Sequence, residues 1–182
     1  KVQKVNSEKP VDENFILSNS DFSIKLFKNT AKKGNNFLVS PFSVGMALGM
    51  TENGAENNTL NQLENVIGGS LYAEDINRNY NRLSNRLGKT KDVSLRITED
   101  GNYENIKGGK FKTANSIWFR DKIVKVNKDF LNRNASFYNA DIFKLNFDSL
   151  KTVNKINNYV KEKTDWKINN IIKRIDKRDM MF

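Results

Sequence analysis

Apolar residues recur every three or four positions along most of the chain, and short clusters of Gly, Asn and Asp interrupt the runs. Over residues 15–33, Phe22, Leu26 and Phe27 share one helical face, and Gly34 supplies a left-handed stop. "NNFLVS" (35–40) reads as a short apolar strand. Ser40-Pro41 then fits a helix start, with serine as N-cap and proline at the first helical position. Residues 42–52 are apolar on nearly every side, the pattern of a buried helix rather than an amphipathic one. Gly45 and Gly49 inside it each cost about 1 kcal/mol of helix propensity, so close approach to a sheet or another helix is expected. Thr59 and Gln62 have capping-box spacing ahead of a stripe of Leu60, Leu63, Val66 and Ile67, and Gly68-Gly69 ends that helix. The next helix, 72–87, turns Ile76, Tyr80, Leu83 and Leu87 inward. Residues 89–110 read as an exposed hairpin or loop, with "SLRI" as a brief strand. "GGKFKTANSIWFR" (108–120) alternates as a strand with two usable faces, expected near the centre of a sheet. A short helix (129–137), the strand "ADIFKLNF" and a helix over 149–163, with Val153, Ile156 and Val160 inward, complete an α+β order. A further apolar strand begins at "DMMF".

Charge changes this picture in one respect. Lys and Arg outnumber Asp and Glu by 31 to 21, a net charge of +10, which favours anionic partners. The 72–87 helix carries Arg78, Arg82 and Arg86 at i, i+4 and i+8, with Lys89 and Lys91 beyond. Such a row can line up with a sulfated or phosphorylated chain such as a glycosaminoglycan. The alternative is a solvated face shared with Asn77, Asn81 and Asn85. Sequence-specific nucleic-acid binding is not expected, because no recognised motif is present.

Histidine and cysteine are both absent, which excludes Ser-His-Asp and Cys-His catalysis, disulfides and Cys/His zinc sites within these residues. No apolar run reaches transmembrane length. Residues 1–13 read as a polar tether of the kind expected after removal of an export signal, which points to an extracellular or cell-envelope location.

The segment "NNFLVSPFSVGMALGMTENGAENNTLNQL" (35–63) resembles the serpin pattern through Asn36, Ser40, Pro41, Ser43, Ala47, Leu48, Gly54, Ala55, Thr59 and Gln62. "ANSIWF" is similar to the second strand of the serpin main sheet, and "FYNADIFKLNF" to the approach to its first strand. "VNKINNYVKEKTDWKI" resembles the helix that crosses that sheet, through Asn157, Val160, Thr164, Lys167 and Ile168. The resemblance implies residues 14–182 as the N-terminal part of one serpin domain: six helices, two strands of a large mixed main sheet and the start of a third. It implies no catalytic residue and no cofactor beyond an optional polyanion. The partner it implies is a serine, sometimes cysteine, protease, trapped as an acyl-enzyme while the cleaved reactive loop inserts into the sheet. The other reading within the family is a non-inhibitory carrier, chaperone or structural protein. Ser40, Pro41 and Ser43, with Asn157 and Thr164, fall in the pivot over which that sheet would part. Gly45 and Gly49 would seat the pivot helix tightly. The reactive loop lies outside these residues, and a C-terminal half is expected to complete the fold. Without it the 42–52 helix is expected to be uncovered and the segment not to fold as a stable monomer. Trp166 stands where the family pattern has glycine.

Overall fold

Four of the helices begin where a short polar side chain turns back on the first turn: Asp12, Ser40, Asn127 and Ser149 each accept a backbone N–H two or three residues further on. The computed structural model describes residues 9–31, 34–89, 94–106 and 111–182. The helices are α1 (Glu13–Thr30), α2 (Pro41–Glu52), α3 (Asn57–Ile67), α4 (Ala73–Gly88), α5 (Lys128–Tyr138) and α6 (Leu150–Lys163). The strands are β1 (Ser94–Ile97), β2 (Tyr103–Ile106), β3 (Ser116–Arg120) and β4 (Asp141–Leu145).

β1 and β2 form the antiparallel hairpin expected after α4, closed by a turn in which Gly101 takes φ +77°. β3 pairs in parallel with β4 from Ser116–Asp141 to Arg120–Leu145. On its other side β3 receives residues 180–182 antiparallel: Trp118 and Phe182 exchange two 2.8 Å backbone hydrogen bonds, and Arg120 N donates to Met180 O at 3.0 Å. β3 is therefore central, as its two-faced pattern implies, although the strand starts at Ser116 and not at 108.

Four expectations need correction. Residues 35–40 form no strand: Leu38 is 99% exposed, and no strand among the described residues pairs with it. α1 stops at Thr30, whose hydroxyl bonds back to Leu26 O, so Gly34 (φ +85°) turns the chain after the helix has ended. α3 starts at Asn57 behind Glu56, which makes no side-chain cap, so Thr59 and Gln62 are not a capping box. The carboxylate of Glu64 in α3 instead accepts Ala73 N at 2.8 Å and holds the start of α4. The fourth concerns Asn77, Asn81 and Asn85: Asn77 and Asn81 are buried, and Asn85 is half-buried and donates to Asn81.

Two apolar cores result. The helical one gathers Phe15, Phe22, Met46, Ile67, Ile76, Tyr80 and Tyr138 from α1 to α5. The second lies between the sheet and α6, built on Trp118, Phe147 and Ile156.

Candidate functional site

Ser40 and Pro41 set the start of α2. Ser40 Oγ accepts Ser43 N at 3.3 Å and lies 2.9 Å from Ser43 Oγ, so the two hydroxyls are hydrogen-bonded to each other at the helix N-terminus. Ser43, Ala47 and Thr51 follow one another along a single exposed face of α2. The opposite face has no spare volume. A Cβ on Gly45 would overlap the Tyr80 hydroxyl, and one on Gly49 would overlap that of Tyr138. The close approach required by the two glycines is thus to aromatic side chains of α4 and α5, not to a sheet. Tyr80 and Tyr138 differ in one respect: the Tyr80 hydroxyl accepts Asn19 Nδ2 at 2.9 Å, whereas that of Tyr138 is buried with no hydrogen-bond partner among the described residues.

Facing the exposed side of α2 is a cleft of about 620 Å³. Ser43, Ala47 and Thr51 line one wall; Val160, Thr164 and Ile171 are on the other, and Phe182 also borders it. Asn157 and Thr164 act on that second wall. Asn157 Oδ1 accepts the N–H groups of Ile171 and Ile172 at 3.0 and 3.1 Å, and its Nδ2 donates to Ile172 O at 2.9 Å. Thr164 Oγ1 accepts Ile168 N at 3.1 Å and donates to Val160 O. Both residues fasten α6 to the chain that returns from it. The structure therefore separates the five residues expected at the pivot into a serine pair with its proline at the start of α2 and a clasp on α6. Ser43 and Thr164 meet the same cleft.

α6 rests on the sheet through rings. Trp118 stacks on Phe143 at 4.0 Å, and Tyr159 meets both edge-on. The Tyr159 hydroxyl donates to Asp141 Oδ2 at 2.9 Å, and Lys163 Nζ pairs with the same oxygen at 2.9 Å. The bond from Lys163 holds the Asp141 carboxyl below the usual carboxylate range, and burial raises the Tyr159 phenol. Arg120 was not singled out by the sequence pattern. It is 3% exposed, ion-paired to Asp148 at 2.7 Å, and donates to the carbonyls of Asp176, Lys177 and Asp179, so it ties β3 to the turn before residues 180–182.

The arginine row is less uniform than its spacing. Arg78 pairs with Glu74 and Asp75, and Arg82 is half-buried with its Nη1 directed to Pro10 O. Arg86 and Lys89 are exposed, and Lys91 lies outside the described residues. Among the described residues no cluster of three or more acidic side chains could hold a metal ion, and no helix is long and apolar enough to cross a membrane.

A family model described as serpin (serine protease inhibitor) matches residues 17–182. The plasma serine protease inhibitor of Mus musculus is 29% identical over 170 residues, which cover 90% of this chain and 38% of that protein. A serpin-like protein of Methanosarcina acetivorans is 27% identical over 154 residues, 84% of this chain and 32% of that one. Among solved structures, the thermophilic serpin tengpin in its latent state superposes with a TM-score of 0.80 at 42% identity, over 96% of this chain and 43% of its own. A loop C-sheet serpin polymer superposes with a TM-score of 0.81 at 40% identity, over all of this chain and 44% of its own. The chain spans less than half the length of each of these proteins.

Proposed function

The chain belongs to the serpin family, and from that premise we propose that the whole protein inhibits a serine, or alternatively cysteine, protease by taking its own cleaved loop into the main sheet. In this reading the protease forms an ester (or thioester) with a loop carbonyl and expels the amine. The freed loop then adds to the sheet as a strand before water can reach the acyl-enzyme. The observation that carries the reading is the cleft beside the sheet. One wall is a helix face of small residues, Ser43, Ala47 and Thr51, against which a strand can lie closely. The other is α6, joined to its return segment by discrete hydrogen bonds from Asn157 and Thr164. The Ser40 and Ser43 hydroxyls are short, rotatable donors and acceptors that can serve strand backbone in more than one position. The name of the mouse plasma relative supports action outside the cytoplasm.

The test is incubation of the full-length protein with a panel of serine and cysteine proteases, followed by denaturing electrophoresis. A covalent complex that survives SDS is the expected result. Cleavage without a complex, and without a gain in thermal stability afterwards, would transfer the protein to the non-inhibitory members of the family, as a carrier, chaperone or structural protein.

A further inference from the structure

We propose that Glu52 is a proton-operated latch of the helical layer: neutral, it is accommodated where α2, α3, α4 and α5 meet, and on ionising it loosens the seat of α2. Glu52 is 1% exposed, enclosed by this chain's own atoms, and neither carboxylate oxygen has a hydrogen-bond partner among the described residues. A buried carboxylate in that state is unstable unless it keeps its proton.

Every neighbour works in the same direction or is already occupied. α3 presents Glu64, a like charge. α4 presents the Tyr80 phenol and α5 that of Tyr138, and the electrostatic influence of Glu52 on both is to make them harder to ionise. Arg133 of α5 is the cation that opposes this. Its guanidinium is committed elsewhere, with Nη2 on Glu74 at 2.8 Å and Nε on Asn53 Oδ1 at 2.9 Å. α1 closes the same core with Phe15 and Phe22. α2 itself adds to the effect, because Glu52 is its last residue, at the negative end of the helix dipole, with no basic residue in the last turn. Burial first, and Glu64 second, push the Glu52 carboxyl up from 4.5 to about 7.

The sign follows from linkage. A carboxyl raised in the fold binds its proton more tightly there than in the unfolded chain. The stabilisation is complete below pH 4.5, declines as pH rises, and is lost as pH passes about 7. No histidine occurs in these 182 residues to titrate across the same range.

The experiment follows the melting temperature of the full-length protein from pH 5 to pH 8.5, with Glu52→Gln alongside. Glutamine keeps the shape and cannot ionise. The wild type is expected to lose about 4 °C relative to the variant across that range, most of it between pH 5 and pH 7. Parallel curves for the two proteins would overturn the proposal. If Glu52→Gln does not fold, Glu64→Gln serves instead: removing the like charge must move the wild-type decline to lower pH. An unmoved decline counts against the latch. The infrared carbonyl band of a protonated carboxylic acid gives a direct reading on the wild type. It must be present at pH 6 and gone at pH 8.5, and its absence at pH 6 would also overturn the proposal.

Discussion

The two faces of α2 are bonded by different means. On the inner face the constraint is volume: Gly45 and Gly49 leave the Tyr80 and Tyr138 rings no room for even a methyl group between them and the helix. On the outer face Ser43, Ala47 and Thr51 border an open cleft. The element across that cleft, α6, packs on the sheet through Ile156 and Tyr159 but is tied to its return segment by a few directional contacts from Asn157 and Thr164. Close packing resists any displacement, because its contacts fail together. Hydrogen bonds from single side chains can be broken one at a time and remade in water, at about 1 kcal/mol each. The inner face therefore behaves as a fixed seat and the outer side as a separable one, which is the division of labour that strand insertion would need.

Removing the clasp gives the largest expected effect. Asn157→Ala takes away three hydrogen bonds to the backbone of Ile171 and Ile172. The expected loss is about 3 kcal/mol, with a local signature: faster amide exchange at residues 171 and 172 while α1 to α4 stay protected. Unchanged exchange there would show that α6 is secured by something other than Asn157.

Gly49→Ala probes the inner face. Alanine gains about 1 kcal/mol of helix propensity, yet overlap with Tyr138 costs about 3 kcal/mol, so a net loss of about 2 kcal/mol is expected. Combining it with Tyr138→Phe, which removes the hydroxyl nearest the new methyl group, should recover about half. A double mutant no better than Gly49→Ala would locate the conflict elsewhere.

The two tyrosines sharpen the comparison further, because their hydroxyls are so differently served. Tyr138→Phe deletes a buried hydroxyl without a partner among the described residues and should stabilise by up to about 1 kcal/mol. Tyr80→Phe leaves Asn19 Nδ2 without its acceptor and should cost about 1 kcal/mol. Equal effects in thermal unfolding would mean that the two hydroxyls are equivalent in solution.

The apolar skeleton was legible in the sequence, and the polar interior was not. Phe22, Ile76, Tyr80 and Ile156 announce their helix faces by spacing, and Ser40-Pro41 announces the start of α2, because periodicity and cap chemistry are local properties. Asn53, Asn77 and Asn134 read as surface residues, yet they form a connected set: Asn53 Nδ2 reaches Asn77 Oδ1 at 3.2 Å and Asn134 Oδ1 at 2.9 Å. Burying an amide depends on a partner supplied by a distant part of the chain, which hydropathy does not encode. The one local cue was position, since Asn77 and Asn81 each follow an inward residue, Ile76 and Tyr80. Glu52 was hidden too, because its burial comes from packing of α3, α4 and α5 around the end of α2 and not from any local pattern. The strand expected at 35–40 failed for the converse reason: its residues have strand character, but strand formation needs a neighbour to pair with.

The smallest effect belongs to the turn after α6, where Asp165 and Trp166 take φ +50° and +66°. Residues with a Cβ pay about 1 kcal/mol for this left-handed geometry, and glycine does not. Trp166 recovers part of that through Lys161, whose Nζ sits 4.2 Å from the ring centroid, a contact worth about 0.5 kcal/mol at an exposed site. Trp166→Gly removes both the strain and the contact and should stabilise by about 0.5 kcal/mol. Trp166→Ala removes the contact alone and should destabilise by a similar amount. The gap between the two variants, about 1 kcal/mol in thermal unfolding, measures the strain directly. Glycine and alanine variants of equal stability would show that none is stored there.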